Sequence, residues 1–318
     1  MRAATIVDKH VVVDEHPDPV ADTGEVLIAV RAAGVNGADL LQVQGFYPAP
    51  PDSPQDIPGL EFAGEVIELG PGATRFAVGD RVMAVVGGGA QAELITVHER
   101  LLMPVPDGVE WVAAGGFPEV FTTAHDALFT QAQLHPGERV LIHGAAGGVG
   151  VAAVQLAHHA GASVCATVRS QRLRPEVAAL GADVVTAPEG FAAHSPFDVI
   201  LELVGAPNLA ANLEALATAG RLVVIGIGAG ARAEIDLRVL MSKRGRLLAS
   251  TLRARPLEEK ATCARRVEAE VLPPLAAGRL RVPVAASFSL DDAPAAYQRF
   301  ATGDKLGKVV IEVTAPRR

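Results

Sequence analysis

Between Val140 and Val168 the chain reads strand, glycine turn, helix, strand, and few folds admit that order in so short a run. Val140–His143 is an apolar, β-branched run, Val149–Ala160 carries apolar residues at helical spacing, and Ser163–Val168 reads as strand again. The link between the first strand and the helix holds Gly144, Gly147, Gly148 and Gly150. Glycine lets the backbone turn sharply and brings its N–H groups close to a phosphate, and the start of a helix favours negative charge. The spacing GxxGxxG is weak alone. Its position, after a strand and opening a helix, is what gives it meaning as a dinucleotide pyrophosphate site. Gly144, Gly147, Gly148, Val149 and Gly150 are therefore candidate cofactor residues, with Gly150 letting helix and strand pack closely.

The alternation continues. Pro175–Leu180 reads as helix, 198–203 as strand, Asn208–Ala219 as a helix stopped by Gly220, Arg221–Ile225 as strand and Leu247–Thr251 as a further strand. Strict alternation of strand and helix predicts a parallel, doubly wound sheet, assigned to 117–255. Before it the pattern changes. Short β-like runs at 25–30, 64–69, 79–86 and 92–97 are punctuated by Gly, Pro and Asp, and 45–58 holds five prolines and must be a loop. After it, a helix is expected at 258–272 and a strand at 308–313. A lone terminal strand needs a sheet to join, and the N-terminal β domain is the natural host. The expected organisation is α/β, with a β domain from 1–116 and 256–318 and the doubly wound domain inserted between.

About 20 residues past such a glycine turn, a dinucleotide domain selects its cofactor, and an acid there binds the ribose 2′-hydroxyl of NAD. This chain has Arg169-Ser170-Gln171-Arg172 and no acid before Glu176. A carboxylate would repel a 2′-phosphate, whereas Arg grips it with parallel charge-assisted hydrogen bonds. Arg169, Ser170 and Arg172 thus point to NADPH. Arg174 reads as a bystander. Gly226-Ile227-Gly228 follows a strand at its carboxyl end, where ligands sit in open α/β sheets, and is a further candidate for the cofactor.

A net charge of −8 gives no basic surface for nucleic acid. No stretch of about 18 uninterrupted apolar residues suggests a membrane span. Two distant cysteines, Cys165 and Cys263, with no CxxC and no leader-like start, fit a reducing cytoplasm.

Several ordered motifs, Gly34-Val-Asn-Gly-Ala-Asp-Leu40, Gln44-Gly-Phe-Tyr47, Pro58–Gly64, Gly87–Gln91, Thr123-Ala124, His143–Gly150 and Gly307-Lys-Val-Val310, resemble the quinone oxidoreductase, or zeta-crystallin-like, branch of the zinc-independent medium-chain dehydrogenase/reductase superfamily. The likeness covers essentially the whole chain. It implies a GroES-like β domain for substrate, a Rossmann domain for NADPH, an active site in the cleft between them and a homodimer. Zinc-dependent cousins use Cys and Gly-His-Glu. Here Asn36 stands at the Cys position, and Gly59-Leu60-Glu61 replaces the second motif. No metal is expected, since zinc needs thiolate, imidazole or carboxylate ligands.

Without a Lewis acid, the accessible chemistry is hydride delivery to an already electrophilic acceptor. The resemblance places Asn36 near the nicotinamide ribose and substrate, and Tyr47 in the quinone pocket as a hydrogen-bond or proton donor. Phe46 and Phe117 are candidate pocket walls. Thr123 matches a threonine that approaches the nicotinamide, and Arg253 a cofactor-side arginine. Lys308 reads as a charge at a strand edge, although the family motif keeps a Lys there. The expected function is NADPH-dependent quinone reduction. The alternatives are reduction of an activated C=C in an enone or enoyl thioester, and a low-turnover NADPH-binding sensor.

Overall fold

A computed structural model describes residues 1–314 of the chain. Six strands, Arg139–Ile142, Ser163–Thr167, Val184–Thr186, Phe197–Glu202, Leu216–Val224 and Arg246–Ala249, form one parallel sheet. Numbered by their place in the chain within this sheet, they lie in the order 3-2-1-4-5-6, the doubly wound order of dinucleotide-binding domains. The central strands are apolar along their length because helices cover both faces of such a sheet. Leu141, Ile200, Leu213, Leu216 and Leu222 pack in its core.

One element differs from its sequence pattern. The helix expected to run to Ala219 ends at Ala215, and Leu216 is already extended (φ −62°, ψ 140°) and opposite Phe197 in the sheet. Both Leu216 and Phe197 are fully buried, so apolar burial against the neighbouring strand overrides the helical spacing. The register slips beyond that point, which re-aligns Arg221 with Val199.

The second sheet has seven strands. Val284–Ser289, Lys308–Glu312, Glu25–Val35, Glu61–Leu69, Arg81–Val85 and Met103–Pro104 follow one another across it, and Leu94–His98 also pairs with Glu25–Val35. All pairs are antiparallel except Val284–Ser289 with Lys308–Glu312. The terminal strand therefore does join the N-terminal β domain, against Ala32–Val35. It is an interior strand, not an edge. Residues 44–60 contain no helix or strand, as five prolines dictate.

By its internal contacts the chain divides into two units. One comprises Met1–Thr122, Leu252–Gly303 and the chain from Lys308 onward; the other comprises Thr123–Thr251 and Asp304–Gly307. Among the described residues no helix is long and apolar enough to cross a membrane.

Candidate active site

In the parallel-sheet unit the strand Arg139–Ile142 delivers the chain into the glycine turn, and the helix Gly148–His159 starts directly beyond it. Gly144 has φ +62°, a left-handed conformation that favours glycine. A Cβ on Gly150 would lie 2.5 Å from Gly144 O and 2.6 Å from Ala145 Cα, so the helix packs backbone to backbone on the turn. Gly148, Val149 and Gly150 are the first residues of that helix, and their N–H groups have no acceptor inside it. These features fit a pyrophosphate.

Buried polar groups brace the turn from below. His143, fully buried, meets Thr167 Oγ1 at 3.0 Å through Nδ1 and Asn212 Oδ1 at 2.7 Å through Nε2. Asn212 Nδ2 donates to Glu202 Oε2 (2.7 Å), so its Oδ1 is the acceptor and His143 carries its proton on Nε2. Burial pushes the His143 pKa down, which keeps the ring neutral. Glu202 Oε1 in turn accepts from the amides of Val204 and Gly205 at 2.6 and 2.8 Å. Gly226 N donates to Glu202 O at 3.1 Å. Gly226, Ile227 and Gly228 thus leave the end of their strand beside the main chain of Glu202, with Ile227 exposed. None of these supports was recognised from the sequence. His143, as the last residue of the strand pattern before the glycines, was the available signal.

The arginines follow the strand Ser163–Thr167. Arg169 and Arg172 are exposed, and Ser170 is partly buried. Arg174, read as a bystander, donates through Nε to Val168 O at 3.2 Å and so holds the strand end. Arg172 Nη2 reaches Asp304 Oδ2 at 3.1 Å and Asp304 O at 3.2 Å. Three residues later, Gly307 N donates to Ala146 O in the glycine turn at 2.9 Å. Three Cα–Cα steps of 3.8 Å span at most ~11 Å, so the arginine and the turn belong to one locality. Thr123 is buried inside the helix Pro118–His125, not at its start.

The other unit concentrates polar groups around the short helix Gly37–Val43. Asn36 precedes that helix and is buried. Its Nδ2 donates to Glu61 Oε1 at 2.9 Å, and its Oδ1 accepts from Lys308 Nζ at 2.6 Å. Lys308 Nζ also lies 2.6 Å from Glu61 Oε1 and donates to Val35 O at 3.1 Å. Glu61 Oε2 takes the amide of Glu119 at 2.8 Å. Gly34 makes room: a Cβ there would sit 2.2 Å from Glu61 Oε1. Lys308 is 2% exposed. The expected edge charge is thus a buried ion-pair partner, because its strand lies inside the sheet and its four-carbon stem points the ammonium at a carboxylate.

This donor set does not fit a zinc ion. Glu61 is neutralised by an ammonium, Asn36 supplies an amide, and among the described residues no three His, Cys, Asp or Glu side chains gather for a metal.

Asp39, missed by sequence reading, completes the cluster. It is fully buried, and its carboxylate accepts from Asn36 N at 2.8 Å and Gly59 N at 3.1 Å. Burial pushes its pKa up to about 7 despite these amides and the charges of Lys308 and Arg253. The folded carboxyl keeps its proton where the unfolded one has lost it, so unfolding releases a proton and stability falls as pH rises through this window. An Asp39→Asn variant lacks that slope. Between pH 4 and 7.5 the native chain is expected to lose up to about 4 kcal/mol relative to Asp39→Asn, read from urea midpoints. A pH-independent difference would show that Asp39 is not a raised acid.

Tyr47 is half-buried in the proline loop. Burial raises its pKa, which keeps the phenol protonated and a hydrogen-bond donor at neutral pH. Arg253 lies over its ring, 5.1 Å from the centroid. Its guanidinium donates to Gly87 O (2.7 Å), Tyr47 O (2.9 Å) and Gln42 Oε1 (2.5 Å). Arg253 therefore pins the loop that carries Tyr47. Phe46 is 79% exposed, whereas Phe117 is fully buried and stacks on Phe121 at 4.6 Å.

Two family models match the chain: the alcohol dehydrogenase GroES-like domain over residues 22–107 and the zinc-binding dehydrogenase over residues 148–268. Erythronolide synthase EryA2 of Saccharopolyspora erythraea is 38% identical over 305 residues, which is 92% of this chain and 8% of that protein. The chain spans only 4 to 13% of the length of four polyketide synthases that it matches. Quinone oxidoreductase-like protein 2 homolog of Nematostella vectensis is 31% identical over 317 residues, 95% of this chain and 85% of that one. Among solved structures, mycobacterial Rv1454c complexed with NADPH superposes with a TM-score of 0.87 at 29% identity, over 98% of this chain and 100% of that one.

Proposed function

The chain belongs to the quinone oxidoreductase branch of the medium-chain dehydrogenase/reductase superfamily, and from that premise we propose that it is an NADPH-dependent reductase acting on a quinone-type acceptor without a metal. The observation that carries this reading is the glycine turn with Arg169 and Arg172 beyond the next strand and no acid before Glu176. Gly144, Gly147, Gly148, Val149 and Gly150 would hold the pyrophosphate, and Arg169, Ser170 and Arg172 the 2′-phosphate. Thr123 and Gly226–Gly228 are assigned to the nicotinamide end. When bound, NADPH supplies the hydride.

The protein's own task is to bind, orient and stabilise charge. A quinone that gains an electron pair develops negative charge on oxygen, and the Tyr47 hydroxyl is the donor that would meet it. Asn36 has its amide orientation fixed by Glu61 and Lys308, leaving one N–H to offer. Arg253, assigned to the cofactor side from the family motif, instead finds its support for the reaction in holding the Tyr47 loop. A homodimer in the cytoplasm is the accompanying expectation.

The second reading, reduction of the conjugated C=C of an enone or enoyl thioester, is favoured by the 38% identity with a polyketide synthase. The test is NADPH oxidation followed by absorbance with an ortho-quinone, a para-quinone, an enone and an enoyl thioester, each repeated with NADH. Turnover of a quinone with NADPH supports the first reading. Turnover confined to the enone or thioester moves the assignment to the second. Binding without turnover of any acceptor supports the sensor. In the same assay, Arg172→Ala is expected to weaken NADPH by at least about tenfold and leave NADH unchanged, as for loss of a charge-assisted hydrogen bond. Equal losses for both cofactors would remove the phosphate role of Arg172.

A further inference from the structure

Arg172 is not a free cation awaiting a phosphate. Its Nη2 is shared by the carboxylate and the carbonyl of Asp304, at 3.1 and 3.2 Å. Asp304 arrives from a distant part of the sequence, in the four-residue segment Asp304–Gly307 that belongs to the nucleotide-binding unit. The backbone itself sets this segment's path. Gly303 (φ +66°), Asp304 (φ +42°) and Gly307 (φ +76°) are all left-handed, and Gly307 N is bonded to Ala146 O in the glycine turn. Lys305 Nζ closes the segment on itself by donating to Gly307 O at 2.9 Å. The segment that presents the carboxylate to Arg172 is thus also held by contacts other than the arginine's.

From this geometry we infer that Asp304 is a specificity-determining residue, an internal anion that occupies Arg172 and must be displaced before the arginine can bind the cofactor's 2′-phosphate. The inference rests on the NADPH reading above. Its chemistry is simple competition. An oxygen anion on the protein and an oxygen anion on the ligand want the same guanidinium N–H groups, and the two anions repel each other. Only the phosphorylated cofactor meets the competitor, because NADH carries a hydroxyl at that position. Asp304 therefore lowers the preference for NADPH below what the two arginines alone would give. Both partners are exposed, with side chains 62% and 58% accessible, so the competition is modest and weakens as salt rises.

Asparagine tolerates the left-handed conformation that Asp304 adopts, so Asp304→Asn removes the charge and keeps the turn. Asp304→Ser is the second variant, in case the amide makes a new contact. The probes are NADPH, NADH and adenosine 2′,5′-bisphosphate, titrated against each folded variant by calorimetry at low ionic strength. Asp304→Asn is expected to tighten NADPH and the bisphosphate about two- to fivefold and leave NADH unchanged. In an Arg172→Ala background the same substitution should tighten NADPH less, because only the direct repulsion between the two anions is left to relieve. Unchanged NADPH affinity in both Asp304 variants, with Arg172→Ala still selective against NADPH, would overturn this inference alone. Equal tightening of NADH and NADPH would also overturn it, since the segment would then act on the turn and not on the phosphate. If Arg172→Ala itself fails to discriminate between the cofactors, the assignment of Arg172 to the phosphate falls, and this inference falls with it.

Discussion

Gly150→Val is expected to weaken NADPH binding by at least about 100-fold, equivalent to about 2.7 kcal/mol. The cause is the absence of space on the helix face that meets the turn. A Cβ at position 150 would stand 2.5 Å from Gly144 O, 2.6 Å from Ala145 Cα and 2.9 Å from Ala145 C. All three are backbone atoms and cannot rotate aside. The helix Gly148–His159 must therefore retreat from the turn, and its first N–H groups move with it. Overpacking of this kind typically costs about 1–3 kcal/mol of stability as well. Gly147 provides the contrast. Its φ is −72°, an ordinary value, and a Cβ there would meet only Gly144 O at 3.3 Å. Gly147→Ala should accordingly lose far less affinity than Gly150→Val. NADPH titration of both variants, with thermal melts to verify folding, checks the order. A folded Gly150→Val with native affinity would show that the turn does not hold the cofactor.

The doubly wound sheet was legible because each of its elements carries a local signal. Buried parallel strands such as Val140–Ile142 and Val199–Leu201 read as apolar runs, and glycines mark the ends of helices and the turn. The end of the helix at Ala215 was not legible. Leu-Ala-Thr-Ala continues a helical composition, and only the burial of Leu216 beside Phe197 makes it strand. The same division holds for the site. Asn36 and Tyr47 stand out locally, between glycines and in a proline loop. Asp39 does not, since an acid on a short helix ordinarily faces water, and here the chain folds over it from Gly59. Asp304 is 132 residues from Arg172, so no window of sequence could connect them. Lys308 was misread because a lysine in a terminal strand is usually an edge charge; that its strand would lie between two others depended on Val284–Ser289 adding outside it.

Lys308→Met is expected to destabilise the protein by about 3–5 kcal/mol, the usual cost of removing one member of a buried ion pair. Three ammonium protons meet three acceptors: Glu61 Oε1, Asn36 Oδ1 and Val35 O. Removing them leaves the Glu61 carboxylate, 0% exposed, with, among the described residues, the Asn36 amide and the Glu119 N–H as its donors. A methionine fills the stem's volume, so the loss reports the charge and not a cavity. The double variant Lys308→Met/Glu61→Gln removes both charges and should recover much of the loss, because no unpaired charge stays buried: the new amide oxygen can accept from Glu119 N, and its NH2 can donate to Asn36 Oδ1 once that amide, released from the lysine, flips. Urea unfolding of the two single variants and the double gives the coupling directly. The double variant should be less destabilised than the sum of its parts by at least about 1 kcal/mol. Strict additivity would mean that the ammonium and the carboxylate do not depend on each other. Coupling would establish that the ammonium and the carboxylate hold each other in the buried cluster, with Asn36 bonded to both.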